Sequence, residues 1–298
     1  MSEPTLEVAS VKARSELLIS AAELAEEINN PDLKIIDATT HLVPSDQGGF
    51  GSVSGWEDYQ KAHIAGAQFF DLQGELSDQV SEYRFTVPPV EQFESRMSKA
   101  GITSADKVVI YATNHPMWAC RMWWLLSTFG HPSVRVLDGG LQAWRAQGFP
   151  VTSEVPVVEL SHYEATFNGA AVIDGAGLVA SDTNQLCVLN ALSASQYKGE
   201  GPHYGRPGHI SGSKNTPYSA FLDDKFCFRD NSALSAIFKD SGVSDDRTVV
   251  TYCGGGIAAC IPIFALAMLG RQDRVRLYDH SLSEWAANPQ WPMSLDKS

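Results

Sequence analysis

The stretch Tyr252-Cys253-Gly254-Gly255-Gly256-Ile257-Ala258-Ala259-Cys260 holds the residues best placed to do chemistry. The β-branched run Thr248–Thr251 before it reads as a short buried strand, and the apolar run Ile261–Leu269 after it as a buried helix. A cysteine at a strand end, then three glycines, then a helix start leaves main-chain N–H groups uncovered around one point. Such a concavity holds an anion, and the first anion available is the sulfur of Cys253 itself. A thiolate in an amide cradle is a competent nucleophile at neutral pH. The expectation is therefore that Cys253 is a sulfur nucleophile, cradled by Gly254, Gly255, Gly256, Ile257, Ala258 and Ala259.

Three glycines alone would equally suit a flexible turn. What singles out Cys253 is its place at the carboxyl end of a strand, where a parallel sheet opens a crevice. Cys120, Cys187, Cys227 and Cys260 are expected to be small buried hydrophobes.

The elements that must position this loop follow from the hydrophobic pattern. Residues 1–16 read as a loose tail. Ser20 with Glu23 forms a capping box ahead of a helix over Ala21–Ile28. Strands are expected at Leu33–Ala38, Lys107–Tyr111 and Val134–Leu137, and helices at Trp56–Ala62, Pro88–Ala100, Trp118–Phe129 and Leu141–Gln147. A Gly/Ser-rich loop is expected from Pro44 to Gly55. Alternating strands and helices predict an α/β fold, a parallel sheet flanked by helices.

The pattern then restarts. Cys187-Val188-Leu189-Asn190-Ala191 echoes the strand ending Asp37-Ala38, and His209-Ile210-Ser211-Gly212 echoes His63-Ile64-Ala65-Gly66. Thr248–Tyr252 echoes Lys107–Tyr111, Val275–Asp279 echoes Val134–Asp138, and Trp285 answers Trp144. Blocks repeating in one order, about 140 residues apart, mark an internal duplication. The expected organisation is a first domain over 17–151, a linker over 152–170 and a second domain over 171–298. In this register Ala112 stands where the second copy has Cys253. Only the second domain can do cysteine chemistry there, with the first free to brace it and a cleft between them as the site.

The 298 residues suffice for two such domains, and 44% apolar with 19% charged residues is a globular composition. A formal net charge of −13 argues against nucleic acid as a partner. Five cysteines without a CxxC pair suggest neither a zinc cage nor a disulfide framework, and point to a reducing compartment. Residues 1–16 make no targeting peptide, and the longest apolar run is too short to span a membrane. A cytoplasmic location is the expectation.

The tandem copies, the repeated His-Ile-x-Gly, the Asp-Gly-Gly-x-x-x-Trp block and the Cys-Gly-x-Gly-hydrophobic-x-Ala loop together resemble the rhodanese superfamily of sulfurtransferases. The likeness is to its two-domain members that use thiosulfate or 3-mercaptopyruvate, and it covers Leu17 to Pro292. It implies a persulfide on Cys253, formed from a small anionic sulfur donor and passed to a thiol, thioredoxin or cyanide. No metal or organic cofactor is implied. The neutral loop Gly254-Gly255-Gly256 resembles the mercaptopyruvate class. There, however, a hydroxyl residue of a proton relay stands where this chain has Gly255, and His63 matches a second relay position. Without that hydroxyl a relay through residue 255 cannot operate. A buried histidine bonded to the backbone explains the repeated His63 and His209 equally well.

The resemblance also locates substrate cations. An arginine associated with the donor carboxylate is replaced by Leu192, after Asn190-Ala191. The next basic position is Lys198, which keeps a charge and loses the guanidinium fork. Arg206, in the Gly/Pro-rich loop 199–212, and Arg121, opening the first apolar helix before Trp123-Trp124, complete the candidate substrate-binding set. His280 stands where a glycine is usual. Asp37, Asp138 and Asp279, at strand ends, are expected to cap helices. Two other functions compete with this one. Cysteine phosphatases sharing this fold need Cys-x5-Arg, and Ala259 occupies the arginine position. A non-catalytic binding or regulatory module with a degenerate pocket is supported by Leu192 and opposed by the intact cysteine loop.

Overall fold

The computed structural model describes residues 14–44, 50–182 and 184–295. The first half runs β1 (Leu18–Ile19), α1 (Ala21–Glu27), β2 (Leu33–Asp37), β3 (Thr40–Pro44), β4 (Phe50–Ser54), α2 (Trp56–Lys61), β5 (Ala67–Phe69) and α3 (Val90–Lys99). It continues through β6 (Lys107–Tyr111), α4 (Pro116–Thr128), β7 (Val134–Leu137) and α5 (Gly140–Ala146). The second half begins with β8 (Val172–Ile173), α6 (Gly175–Ala180), β9 (Leu186–Asn190), α7 (Ala194–Tyr197), β10 (His209–Ile210), β11 (Lys214–Asn215) and α8 (Asn231–Asp240). It ends with β12 (Thr248–Tyr252), α9 (Cys260–Met268), β13 (Val275–Tyr278), α10 (Ser281–Trp285) and β14 (Met293–Ser294).

Both halves fold into a parallel sheet with one topology. The strand order is β1-β7-β6-β2-β5 in the first and β8-β13-β12-β9-β11 in the second. The central strands β6 and β12 hold equivalent registers, Tyr111 opposite Asp37 and Tyr252 opposite Asn190. Satellite contacts repeat too. Tyr111 and Tyr252 accept from the N–H of Ile64 and Ile210 at 3.3 and 3.1 Å. Trp144 and Trp285 donate to the carbonyls of Pro150 and Pro292 at 2.8 and 3.0 Å.

Local sequence explains the helices. The capping box at Ser20 closes in both directions, Glu23 N–H to Ser20 Oγ at 3.2 Å and Ser20 N–H to Glu23 Oε2 at 2.8 Å. Phe93 with Met97, and Leu234 with Phe238, bury the i, i+4 faces of α3 and α8. Helices α4 and α9 are buried on nearly every side because each lies between the halves, and Arg121 is the one charge they carry. Trp123 meets Phe264 there edge-on, centroids 4.8 Å apart, and one continuous core spans both sheets. Among the described residues no helix is long and apolar enough to cross a membrane.

Three expectations change. Residues 1–13 of the tail lie outside the described residues, but Arg14–Glu16 form a 3-10 turn and Arg14 donates to the carbonyls of Phe228 and Arg229. The loop expected over Pro44–Gly55 contains β4, which pairs antiparallel with β3. Gly51, Ser52 and Ser54 hide that strand by composition. Asp138 and Asp279 do not cap the helices that follow them. Asp138 accepts from the N–H of Phe228 at 2.9 Å and Asp279 from that of Val87 at 2.8 Å, so each reaches into the opposite half.

Candidate active site

The stretch from Cys253 to Ala259 turns between the carboxyl end of the central strand β12 and the start of α9. Two of its glycines are fixed by sterics. Gly256 has φ of +78°, and a Cβ there would lie 2.6 Å from the carbonyl oxygen of Asp279. At Gly254 a Cβ would fall 1.9 Å from the ring of Tyr204. Gly255 has room, its nearest neighbour being Ser283 Oγ at 3.7 Å.

Ser281 fastens the loop. Its Oγ accepts from the N–H of Cys253 at 3.0 Å and of Gly256 at 3.2 Å, and donates to the carbonyl of Tyr278 at 2.8 Å. Ser281 itself has φ of +53°, a strained value for a residue with a side chain. Thus one of the expected cradle amides, that of Gly256, is already bound. The N–H groups of Gly254, Gly255, Ile257, Ala258 and Ala259 meet no protein acceptor among the described residues.

Cys253 is 3% exposed, yet it lines a cavity of about 190 Å³ between the halves. The second half contributes the loop, Tyr204 and Tyr218, and the first contributes Phe85 and the β3–β4 ribbon through Leu42 and Phe50. Burial, and then the neighbouring Cys253, push the Tyr204 hydroxyl up, so it is a neutral hydrogen-bond donor at physiological pH. Burial also raises the other thiols: Cys120 and Cys187 upward, Cys227 to about 11 and Cys260 to about 12. These four stay protonated at neutral pH, which leaves them poor nucleophiles.

The expected substrate cations are placed elsewhere. Arg121 is 1% exposed and pairs with Asp279 Oδ1 at 2.6 Å, while its other N–H groups donate to the carbonyls of Gly256 and Phe85. It braces the cysteine loop from the first half and is engaged throughout. Arg206 donates to the carbonyls of Trp285, Ala286, Asn288 and Trp291, tying its loop to the C-terminal segment. Lys198 is exposed at the end of α7, and none of the three lines the cavity. His63 is fully buried in the first half, Nδ1 2.6 Å from the carbonyl of Tyr59 and Nε2 3.0 Å from that of Glu154, with its ring stacked on Tyr59. His209 repeats this arrangement with Tyr197. Both histidines hold the backbone and lie away from the sulfur.

Sequence reasoning missed Arg84, Tyr204 and Ser281. Arg84 and Phe85 belong to an aperiodic segment whose hydrogen bonds are to residues twelve or more positions away. Tyr204, an aromatic beside a glycine in the 199–212 loop, was a usable signal.

The chain as a whole is similar to proteins of known activity. The family described as rhodanese-like domain matches residues 20–147 and 188–288. The 3-mercaptopyruvate sulfurtransferase of Escherichia coli K12 is 32% identical over 279 residues, spanning 92% of this chain and 96% of its own. Rat thiosulfate sulfurtransferase is 31% identical over 294 residues, spanning 94% and 96%. The crystal structure of Escherichia coli SseA, a 3-mercaptopyruvate sulfotransferase, superposes with a TM-score of 0.76 at 32% identity, covering 90% of this chain and 99% of that one.

Proposed function

This chain belongs to the rhodanese-like domain family, and from that premise we propose that it is a sulfurtransferase working through a persulfide on Cys253. The Cys253 thiolate attacks the transferable sulfur of a small anionic donor, the outer sulfur of thiosulfate or the thiol sulfur of 3-mercaptopyruvate. A sulfur–sulfur bond forms to Cys253, and the donor's bond to that sulfur breaks. Sulfite, or the enolate of pyruvate, leaves with the electron pair. An acceptor thiol, thioredoxin or cyanide then attacks the outer sulfur and regenerates the thiolate.

Support comes from one observation above the rest: the Cys253 thiol faces a cavity from within a loop whose amides of Gly254, Gly255, Ile257, Ala258 and Ala259 have no protein acceptor among the described residues. Such amides stabilise a thiolate and, one atom further out, a persulfide anion. Free cysteines throughout suit a reducing compartment, in line with a cytoplasmic site of action.

The test is intact-mass spectrometry after incubation with each donor. An adduct of about 32 Da, one sulfur atom, is expected on Cys253. In Cys253→Ser it should vanish, with cyanide-dependent turnover falling by about 10⁴-fold or more. No adduct from either donor would make the protein a binding module instead.

A further inference from the structure

We propose that Arg84, reaching in from the first half, holds the anionic end of the sulfur donor, and that the walls around it select a singly charged donor with an apolar body. The inference rests on the sulfurtransferase reading above and narrows its substrate class.

Among the described residues lining the Cys253 cavity, Arg84 is the one charged side chain. Its Nη2 donates to Ser52 Oγ at 2.6 Å and its Nη1 reaches the Phe50 carbonyl at 3.4 Å, which fixes the guanidinium against the β3–β4 ribbon. No carboxylate among the described residues lies in salt-bridge reach of it, and its remaining N–H groups meet no acceptor among those residues. Its main chain passes beside the sulfur loop, the carbonyl of Arg84 lying 4.0 Å from where a Cβ on Gly255 would stand. Arg121 and Arg206 are engaged by other protein groups, and Lys198 lies outside the cavity.

The second part concerns the walls. Leu42, Phe50, Met117, Leu192 and Ile257 give the cavity an apolar lining, and its volume of about 190 Å³ exceeds the space of a few waters. A compact dianion entering it would match one of its charges to Arg84 and leave the other to neutral donors alone, the Tyr204 hydroxyl and the loop amides that the sulfur itself needs. A monoanion is matched one to one, and an aryl or alkyl body gains by displacing water from apolar surface. An arenethiosulfonate has this form. The Cys253 thiolate bonds to its terminal sulfur, the bond from that sulfur to the sulfonyl sulfur breaks, and an arenesulfinate leaves with the electron pair. Two negative charges enter the step and two leave it.

The experiment compares benzenethiosulfonate with thiosulfate as donor to cyanide, using the full chain, Arg84→Gln and Arg84→Lys. For the native protein kcat/KM should favour benzenethiosulfonate by about tenfold or more. Arg84→Gln should raise KM for that donor about 5–20-fold with a smaller change in kcat, as fits a partly exposed charged hydrogen bond. Arg84→Lys should recover part of the loss. A preference for thiosulfate, or a KM unmoved by Arg84→Gln, overturns the proposal while Cys253 still gains its sulfur. Failure of both donors to place about 32 Da on Cys253 overturns the persulfide reading, and the proposal with it.

Discussion

At the end of its central strand the first half carries Ala112-Thr113-Asn114-His115-Pro116, and the second carries Cys253-Gly254-Gly255-Gly256-Ile257. The frames around these loops are the same. Each is approached by a phenylalanine from the other half, Phe85 over the second loop and Phe226 over the first, both with φ near +60°. The contents differ. In the first half Asn114 donates to the carbonyl of Thr40 at 2.7 Å, and His115 packs against Phe226 and Tyr218, leaving about 10 Å³. In the second, glycines leave about 190 Å³ open beside a sulfur. Reactivity here comes from removing side chains around one nucleophile, on a scaffold that tolerates either outcome. The fastening residue differs as well: Gly140 and Ser281 share the left-handed conformation, but only Ser281 has a hydroxyl to bind the loop.

The largest test of this asymmetry is the ion pair. Asp279 has Arg121 as partner, whereas Asp138, its counterpart, has no guanidinium in salt-bridge reach among the described residues and its carboxyl is raised by burial. Arg121→Gln strands a buried carboxylate and should cost about 3–5 kcal/mol in chemical denaturation, with Asp279→Asn added on top restoring part of it. If Arg121→Gln proves neutral, the first half does not brace the second through this pair.

A smaller effect belongs to the first loop alone. Burial lowers His115 from 6.5 to about 4, so the folded state keeps it neutral while the unfolded chain takes a proton. Its contribution is intact above pH 6.5 and is lost as the pH falls toward 4, by no more than about 3 kcal/mol. Burial raises Asp37 and Asp138, whose contributions decline with rising pH, so the relevant quantity is a difference. His115→Asn, which keeps an N-cap acceptor for Met117, should flatten the acid limb of stability measured between those values. The second loop has Gly256 there and nothing to titrate.

The smallest effect should come from Ser281→Gly, which makes the second half resemble the first. Relief of left-handed strain offsets much of the three lost hydrogen bonds, leaving stability within about 2 kcal/mol. Sulfur transfer should still fall about tenfold, because two loop amides lose their anchor. An unchanged rate would assign Ser281 to the fold alone.

The duplication was legible because strand runs and the His, Asp and Trp blocks recur in order. The cysteine loop was legible because strand, glycines and helix follow one another directly. Arg121 was visible as a charge in an apolar helix, but its partner lies 158 residues away, so substrate binding and bracing looked alike. Arg84 and Phe85 gave no periodic signal at all. The β3–β4 ribbon was concealed by glycine and serine, whose strand preference is poor.

The crossed phenylalanines have a consequence for heredity. Each half wears a lid donated by its twin, so severing the chain within residues 151–168 would yield two uncovered pieces rather than two working proteins. After duplication, the copies became obligate companions: one kept the blade and surrendered its sheath to the other's keeping.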